Sequence, residues 1–288
     1  MTSTATLKID PWKPHQMRAN PFIAAVGRRG SGKSSIMFTL LYALRHRFDA
    51  VFVFVPTNDV YQKMLKILPA AFVFQSILSE DLLQVILATM TELLSKGKVK
   101  TIAIFTDDTS FDVSFLKSKV CRELAYNGRN CNITWFCSMQ SSVDAPTYLR
   151  DQVDYVLLMS ENVVTTKKNL YVRYAGIFES YDQFNRAFKR VTRDYTAMVL
   201  DQTKTTGAIS DSVFYFKGVE FDKLPKERND CRCNLPVPHI FHVCKNSFYV
   251  LDCLFQKQNS RHSSEEEDAN NKNKIVIHEQ PLSDFTKI

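Results

Sequence analysis

The stretch Gly27-Arg28-Arg29-Gly30-Ser31-Gly32-Lys33-Ser34 constrains this chain more than any other. It fits the pattern G-x-x-x-x-G-K-[ST]. A short apolar run, Phe22-Ile23-Ala24-Ala25-Val26, leads into it, and a helical pattern opens near Lys33. A strand entering a glycine-rich loop entering a helix is the context in which that pattern cradles phosphate. Gly27 and Gly32 allow the tight turn, and Gly30 removes another side chain from the cradle. The backbone N–H groups from Arg28 to Ser35 can then point inward at phosphate oxygens, with the positive end of the helix dipole behind them. Lys33 would reach the β- and γ-phosphates as a mobile point charge, and Ser34 would offer its hydroxyl to Mg²⁺. ATP and Mg²⁺ are therefore the expected cofactors.

The rest of the chain alternates strand and helix. Ala50–Val55 is a continuous apolar run stopped by Pro56, the pattern of a strand buried on both faces of a parallel sheet. Ser79 is placed to cap a helix that stops at Gly97. Thr101–Phe105 is the next strand, and it empties into Thr106-Asp107-Asp108. Asp107 is the candidate Mg²⁺ ligand, and Asp108 stands where a carboxylate could polarise attacking water. One helix is expected through Phe115, Leu116, Val120 and Leu124, ending at Asn127-Gly128, which would leave Arg129 exposed. The strand Ile133–Cys137 follows, with Ser138, Met139 and Gln140 just past its end. Because parallel sheets bind ligands outside the carboxyl ends of their strands, Gln140 should lie beside the phosphates, sensing the γ-phosphate or orienting water. The expected fold is α/β, a RecA-like P-loop NTPase with a mostly parallel central sheet and helices on both faces.

Ser180-Tyr181-Asp182-Gln183 reads as a capping box. The helix it opens carries Phe184, Phe188 and Val191 on one side. Arg186, Lys189, Arg190 and Arg193 fall on the other, within an arc of roughly 100° at 3.6 residues per turn. Such a stripe is a solvated face in most proteins; here it is also the candidate contact with a nucleic-acid backbone. The net charge of +7 and the pI near 9.0 agree with a polyanionic partner. Strands at Thr196–Leu200 and Val213–Phe216 would complete the sheet.

Four segments are expected: an extended arm over 1–20, the P-loop domain over 21–220, a Cys-rich segment over 221–255 and a largely disordered tail over 256–288. Cys231, Cys233, His239, His242, Cys244 and Cys253 crowd the third, but their spacing fits no common zinc arrangement. No apolar run is long enough to span a bilayer, residues 1–10 carry no secretory pattern, and seven cysteines without a framework suit a reducing compartment. No N-K-x-D motif argues for a GTPase. A small-molecule or nucleoside kinase would carry phosphate-binding arginines on a lid and would not need the second acid after Asp107; in a nucleotide-gated assembly protein ATP would only close a ring. The acid pair, Gln140 after the following strand and the candidate Arg129 between them together favour hydrolysis coupled to motion.

The order of the phosphate loop, Ile102–Asp108, Asn127-Gly128-Arg129 and the strand ending at Gln140 resembles the poxvirus-type genome-packaging ATPases of large cytoplasmic DNA viruses. That group is similar to the FtsK/HerA translocases. Asp108 departs from the Glu common in those translocases, and Asn130 from the His common after the Gly-Arg pair. The resemblance covers roughly residues 20–216 on an element count. It implies an ATP-driven motor threading viral double-stranded DNA into a capsid at a cytoplasmic assembly site. It also implies a ring of identical subunits, six by expectation, that meets capsid or virion assembly proteins. A neighbouring subunit would supply an arginine to each site, Arg129 as first candidate and Arg150 as second.

Overall fold

A computed structural model describes residues 7–220 apart from 99, 109–112, 142 and 144, together with 223, 250–254, 256 and 257. The chain opens on a two-residue strand, β1 (Asp10–Pro11), and then enters β2 (Phe22–Val26), which is buried along its whole length. The phosphate loop leads from β2 into α1 (Lys33–Ala43). β3 (Ala50–Phe54), α2 (Asn58–Met64) and β4 (Val73–Phe74) follow. α3 (Glu80–Ser95) is capped by Ser79, whose Oγ accepts from the Leu82 N–H at 3.3 Å, and Gly97 turns away from it at φ +66°.

β5 (Ile102–Thr106) precedes two short helices, α4 (Val113–Lys117) and α5 (Lys119–Asn127). Then come β6 (Ile133–Met139), α6 (Thr147–Gln152), β7 (Tyr155–Leu158), α7 (Val164–Tyr174) and α8 (Tyr181–Val191). β8 (Thr196–Asp201), α9 (Ile209–Ser212) and β9 (Val213–Lys217) complete the sheet.

Among the described residues, nine strands lie in the order β1-β9-β8-β7-β2-β6-β5-β3-β4. Six pairings are parallel; β8 runs antiparallel to both β7 and β9. Residues of β2 alternate between two cores. Phe22, Ala24 and Val26 pack with α3, α5, α7 and α8, while Ile23 and Ala25 pack with α1 and α2. Helices therefore cover both faces, which is why the central strands read as unbroken apolar runs. Trp135 of β6 stacks on Phe22 with centroids 4.3 Å apart and donates its Nε1–H to Thr106 Oγ1 at 3.0 Å, joining β2, β6 and β5.

Several local expectations give way. The single helix through Phe115 and Leu124 is broken at Ser118, whose Oγ accepts from the Cys121 N–H at 3.1 Å and starts a new N-terminus. Gly128 is not a left-handed cap: its φ is −52°, a 3-10 turn runs on through Gly128–Cys131, and Asn132 takes the left-handed position at φ 55°. Arg193 lies beyond the last residue of α8, its Nε donating to the Lys189 carbonyl at 3.2 Å.

The N-terminal segment is docked. β1 pairs with β9, and Trp12 is buried against Tyr155 and Phe216. Val250, Leu251 and Leu254 enter the core beside α3, and Lys257 Nζ meets the Ala88 carbonyl and Glu92. The Cys/His stretch lies outside the described residues except for Cys253, as does the tail beyond 257.

At the amino edge of the sheet one buried carboxylate fastens three chain segments. Asp154 accepts from the Phe22 N–H at 2.9 Å, from Arg18 Nη1 at 2.8 Å and from Arg129 Nη2 at 3.0 Å. Asp154→Ala should lower stability by about 1–3 kcal/mol, because it leaves the buried Phe22 N–H without its acceptor and removes the counter-charge of two half-exposed guanidinium groups. Urea denaturation of both proteins measures it; a difference under about 1 kcal/mol would deny Asp154 that role.

Candidate phosphate-loop site

The loop leaves β2 at its carboxyl end, between Met139 of β6 and Leu158 of β7. Gly27 donates its N–H to the Met139 carbonyl at 3.1 Å. A Cβ at Gly27 would stand 2.5 Å from Met159 Cβ and 2.9 Å from Ser31 Oγ, so this position admits no side chain without movement. Gly30 and Gly32 have φ +77° and +89°, a left-handed region that favours glycine. A Cβ at Gly32 would also meet Tyr195 Cδ1 at 2.7 Å. Arg28 and Arg29 are exposed, and Ser34 and Ser35 open α1 half-buried.

Lys33 is buried at the start of α1, and its Nζ donates to the backbone carbonyls of Gly27 and Arg28, the latter at 3.0 Å. Burial lowers its pKa; the charges of Asp107 and Asp108 act in the opposite direction. Burial raises the pKa of Asp107, against the pull of the Ser138 hydroxyl and of Lys33. One cation and a carboxylate thus stand together, each desolvated, each only partly compensated by the other.

The strand order explains how these groups meet. β6 is inserted between β2 and β5, so residues just past the ends of β2, β6 and β5 line up along one edge. Asp107 and Asp108 directly follow β5, and Gln140 directly follows β6. Gln140 Nε2 donates to Asp108 Oδ2 at 2.6 Å. Asp108 has φ 54°, a left-handed conformation costly for most L-residues but tolerated by Asp. Gly27–Ser35, Asp107, Asp108 and Gln140 are therefore brought together.

Arg129 is not among them. It precedes β6 at the amino edge, a strand length away, and is held by Asp154. Arg150 in α6 donates through Nη2 to Thr147 Oγ1 at 2.8 Å. Arg186, Lys189, Arg190 and Arg193 are all exposed, and the α8–β8 turn that follows them reaches the same edge as the phosphate loop.

Sequence reasoning missed Met159 and Tyr195. Both touch the loop's glycines from separate elements, and neither belongs to a motif; the only trace is that a parallel strand just before Met159 had to pair somewhere.

Ser34 and Asp107 supply a hydroxyl and a carboxylate oxygen, a donor set that suits a hard divalent cation sharing its shell with phosphates and water. Among the described residues no group of three or more His, Cys, Asp or Glu forms a closed metal cage. None of the described helices is long and apolar enough to cross a membrane.

A phosphate loop on a mostly parallel sheet, with an extra strand between loop and acids, defines a P-loop NTPase fold. Solved structures agree on that fold. The genome packaging NTPase B204 of Sulfolobus turreted icosahedral virus 2, solved with AMPPCP, superposes with a TM-score of 0.51 at 14% identity over 71% of this chain and 100% of that one. The cytoplasmic domain of the type VII secretion ATPase EccC of Thermomonospora curvata gives 0.50 at 15% identity, over 69% of this chain and 25% of that one. No protein-family model matches.

Within that class, the chain belongs to the family of the uncharacterized protein L437 of Acanthamoeba polyphaga mimivirus, to which it is 30% identical over 70% of its own length and 74% of the relative's. The uncharacterized protein 088R of Invertebrate iridescent virus 3 is 26% identical over 74% of this chain and 85% of that relative.

Asp107→Asn should stabilise the ligand-free protein at neutral pH. A carboxyl whose folded pKa is raised binds its proton more tightly when folded, so its ionised form costs stability. The gap over wild type should be absent well below the ordinary carboxylate value of about 3.9, and should grow as pH rises through the raised value. Thermal melts across pH read it; a wild type more stable than the variant at pH 7 would contradict the burial argument.

Proposed function

We propose that this chain is an ATPase that drives viral double-stranded DNA into a capsid, working as one subunit of a ring. The observation that carries the reading is the meeting, at one sheet edge, of a phosphate cradle, Lys33, two consecutive carboxylates and Gln140 on Asp108. A second acid, held by its own amide partner beside the cradle, is placed to take a proton from an attacking water.

The loop amides and the α1 dipole would hold the β- and γ-phosphates. Lys33 would exchange the carbonyls of Gly27 and Arg28 for phosphate oxygens, whose charge compensates its burial. Mg²⁺, held by Ser34 and Asp107, would neutralise charge developing on the phosphate oxygens. Asp108 takes the proton of the attacking water. Gln140 donates to one Asp108 oxygen and so fixes the direction in which the other accepts.

An arginine from a neighbouring subunit would complete the site, worth roughly 10³–10⁵ in rate. Arg129 remains the first candidate and Arg150 the second; Arg129 would have to give up Asp154 to serve. Arg186, Lys189, Arg190 and Arg193 would hold DNA phosphates without reading bases. The poxvirus-type resemblance and the viral origin of the relatives support packaging in particular, within a six-membered ring at a cytoplasmic assembly site with capsid or virion proteins as partners.

Lys33→Ala should abolish turnover. Asp108→Asn should keep ATP binding and slow hydrolysis by about 10²–10⁴-fold, the usual share of a general base. Normal turnover by both variants would remove the mechanism, and binding without turnover in the wild type, even with DNA, would mark a nucleotide-gated assembly protein.

Double-stranded DNA should stimulate the ATPase. If the four basic residues each neutralise one phosphate, apparent DNA affinity should fall about 100-fold between 50 and 200 mM salt, and each Ala substitution should reduce the salt slope by about one. A rate indifferent to DNA, with phosphate transferred to a nucleoside, would favour a kinase.

A further inference from the structure

Tyr195 is out of place for a core aromatic. Its residue is 57% exposed, yet its ring is pressed against the phosphate loop, where a Cβ on Gly32 would stand 2.7 Å from Cδ1. Its backbone is held in an uncommon conformation. Asp194 and Tyr195 are consecutive non-glycine residues with φ 50° and 57°, and the Tyr195 carbonyl accepts from the Gly218 N–H at 2.9 Å. Consecutive left-handed L-residues cost energy and persist only where surrounding contacts impose them, which is common beside ligands.

The sheet order says what lies there. Asp107 and Asp108 follow β5 and Gln140 follows β6, on one side of β2. If they face the γ-phosphate, the other end of the nucleotide leaves the loop on the opposite side, over β7, β8 and β9. That exit is bordered by the turn carrying Tyr195 and by Gly218-Val219, which cross the first turns of α1. Val219 donates its N–H to Thr39 Oγ1 at 2.9 Å and is 38% exposed. A Cβ on Gly218 would meet Ile36 Cδ1 at 3.0 Å and the Ile36 backbone N at 3.3 Å, so the segment lies directly on α1. An aromatic ring and an exposed valine would thus flank the route outward from the α-phosphate.

We propose that Tyr195 is the platform on which the nucleobase stacks, with Val219 as the apolar neighbour. This rests on the ATPase reading above and adds its base-binding subsite. A ring face recognises an aromatic base by its π-surface, with few demands on the base's hydrogen-bonding edge. Gly32 has then two duties: it turns the loop, and it leaves room for the ring.

The test compares equilibrium binding of Mg·AMPPCP and of Mg·tripolyphosphate, which has phosphates and no base, to the full chain. Tyr195→Asn removes the ring and tolerates the left-handed turn. Tyr195→Leu keeps bulk against Gly32 without a π-face. Both should weaken AMPPCP roughly 5- to 150-fold while tripolyphosphate stays within about twofold, and Tyr195→Trp should retain AMPPCP affinity. AMPPCP affinity unchanged in either ring-less variant overturns the proposal. So does an equal loss for both ligands, which would make the ring a mere prop for the loop. Wild type binding neither ligand overturns the ATPase reading too, whereas wild type binding both, with Lys33→Ala losing both, leaves any failure at Tyr195 to the stacking alone.

Discussion

In-register parallel pairing of β2, β6 and β5 is the constraint on which the rest of the molecule depends. Val26 pairs with Met139, and Phe105 and Thr106 pair with Phe136 and Cys137. This register ends the strands within a residue or two of one another, so the cradle, Gln140 and the acid pair open on one edge. A slip of one residue would turn every side chain to the other face and set the two cores against each other. Trp135 is wedged between Phe22 and Thr106, and Asp154 ties the start of β2 to that of β7. The ends of the strands can hold a strained loop because their middles cannot shift.

The edge itself is held against its own electrostatic preference. Lys33 and Asp107 are both pushed by burial toward their neutral forms, and they face one another without fully offsetting that cost. Polar groups in a desolvated place bind a complementary ligand more strongly than they would in water. Asp108 adds backbone strain to the same point, with φ 54° and a side chain fixed by Gln140. The edge is therefore strained and desolvated, and it is carried by the packed layers beneath it.

What was legible in the sequence follows from range. The loop, β2 and the start of α1 were readable to the residue, since a motif fixes spacing and a doubly buried strand leaves an unbroken apolar run. Ser79 and Ser180 announced their helices because capping is a contact across three residues. Ser118 did the same locally, but the apolar spacing ran smoothly across it and hid the break. Gly128 carried the usual sign of a helix end, yet Asn132 took the left-handed position, since Leu124 packs close to Gly128 and the chain continues as a 3-10 turn. Contacts across long sequence separations left no mark: Asp10 beside Phe214, Arg18 and Arg129 on Asp154, Tyr195 on Gly32. The candidate site was half visible for the same reason: its polar groups sit in motifs, while the residues that prop it come from elsewhere.

Among the described residues the sheet ends on each side in a two-residue strand, β1 at one margin and β4 at the other. On the first, Pro11 has no amide hydrogen to offer and Asp10 is engaged by Lys8 at 3.1 Å. Stubs of this kind give an incoming strand almost nothing to zip onto. Among the described residues, then, the sheet offers a second copy too little unpaired backbone at either margin for edge-to-edge pairing.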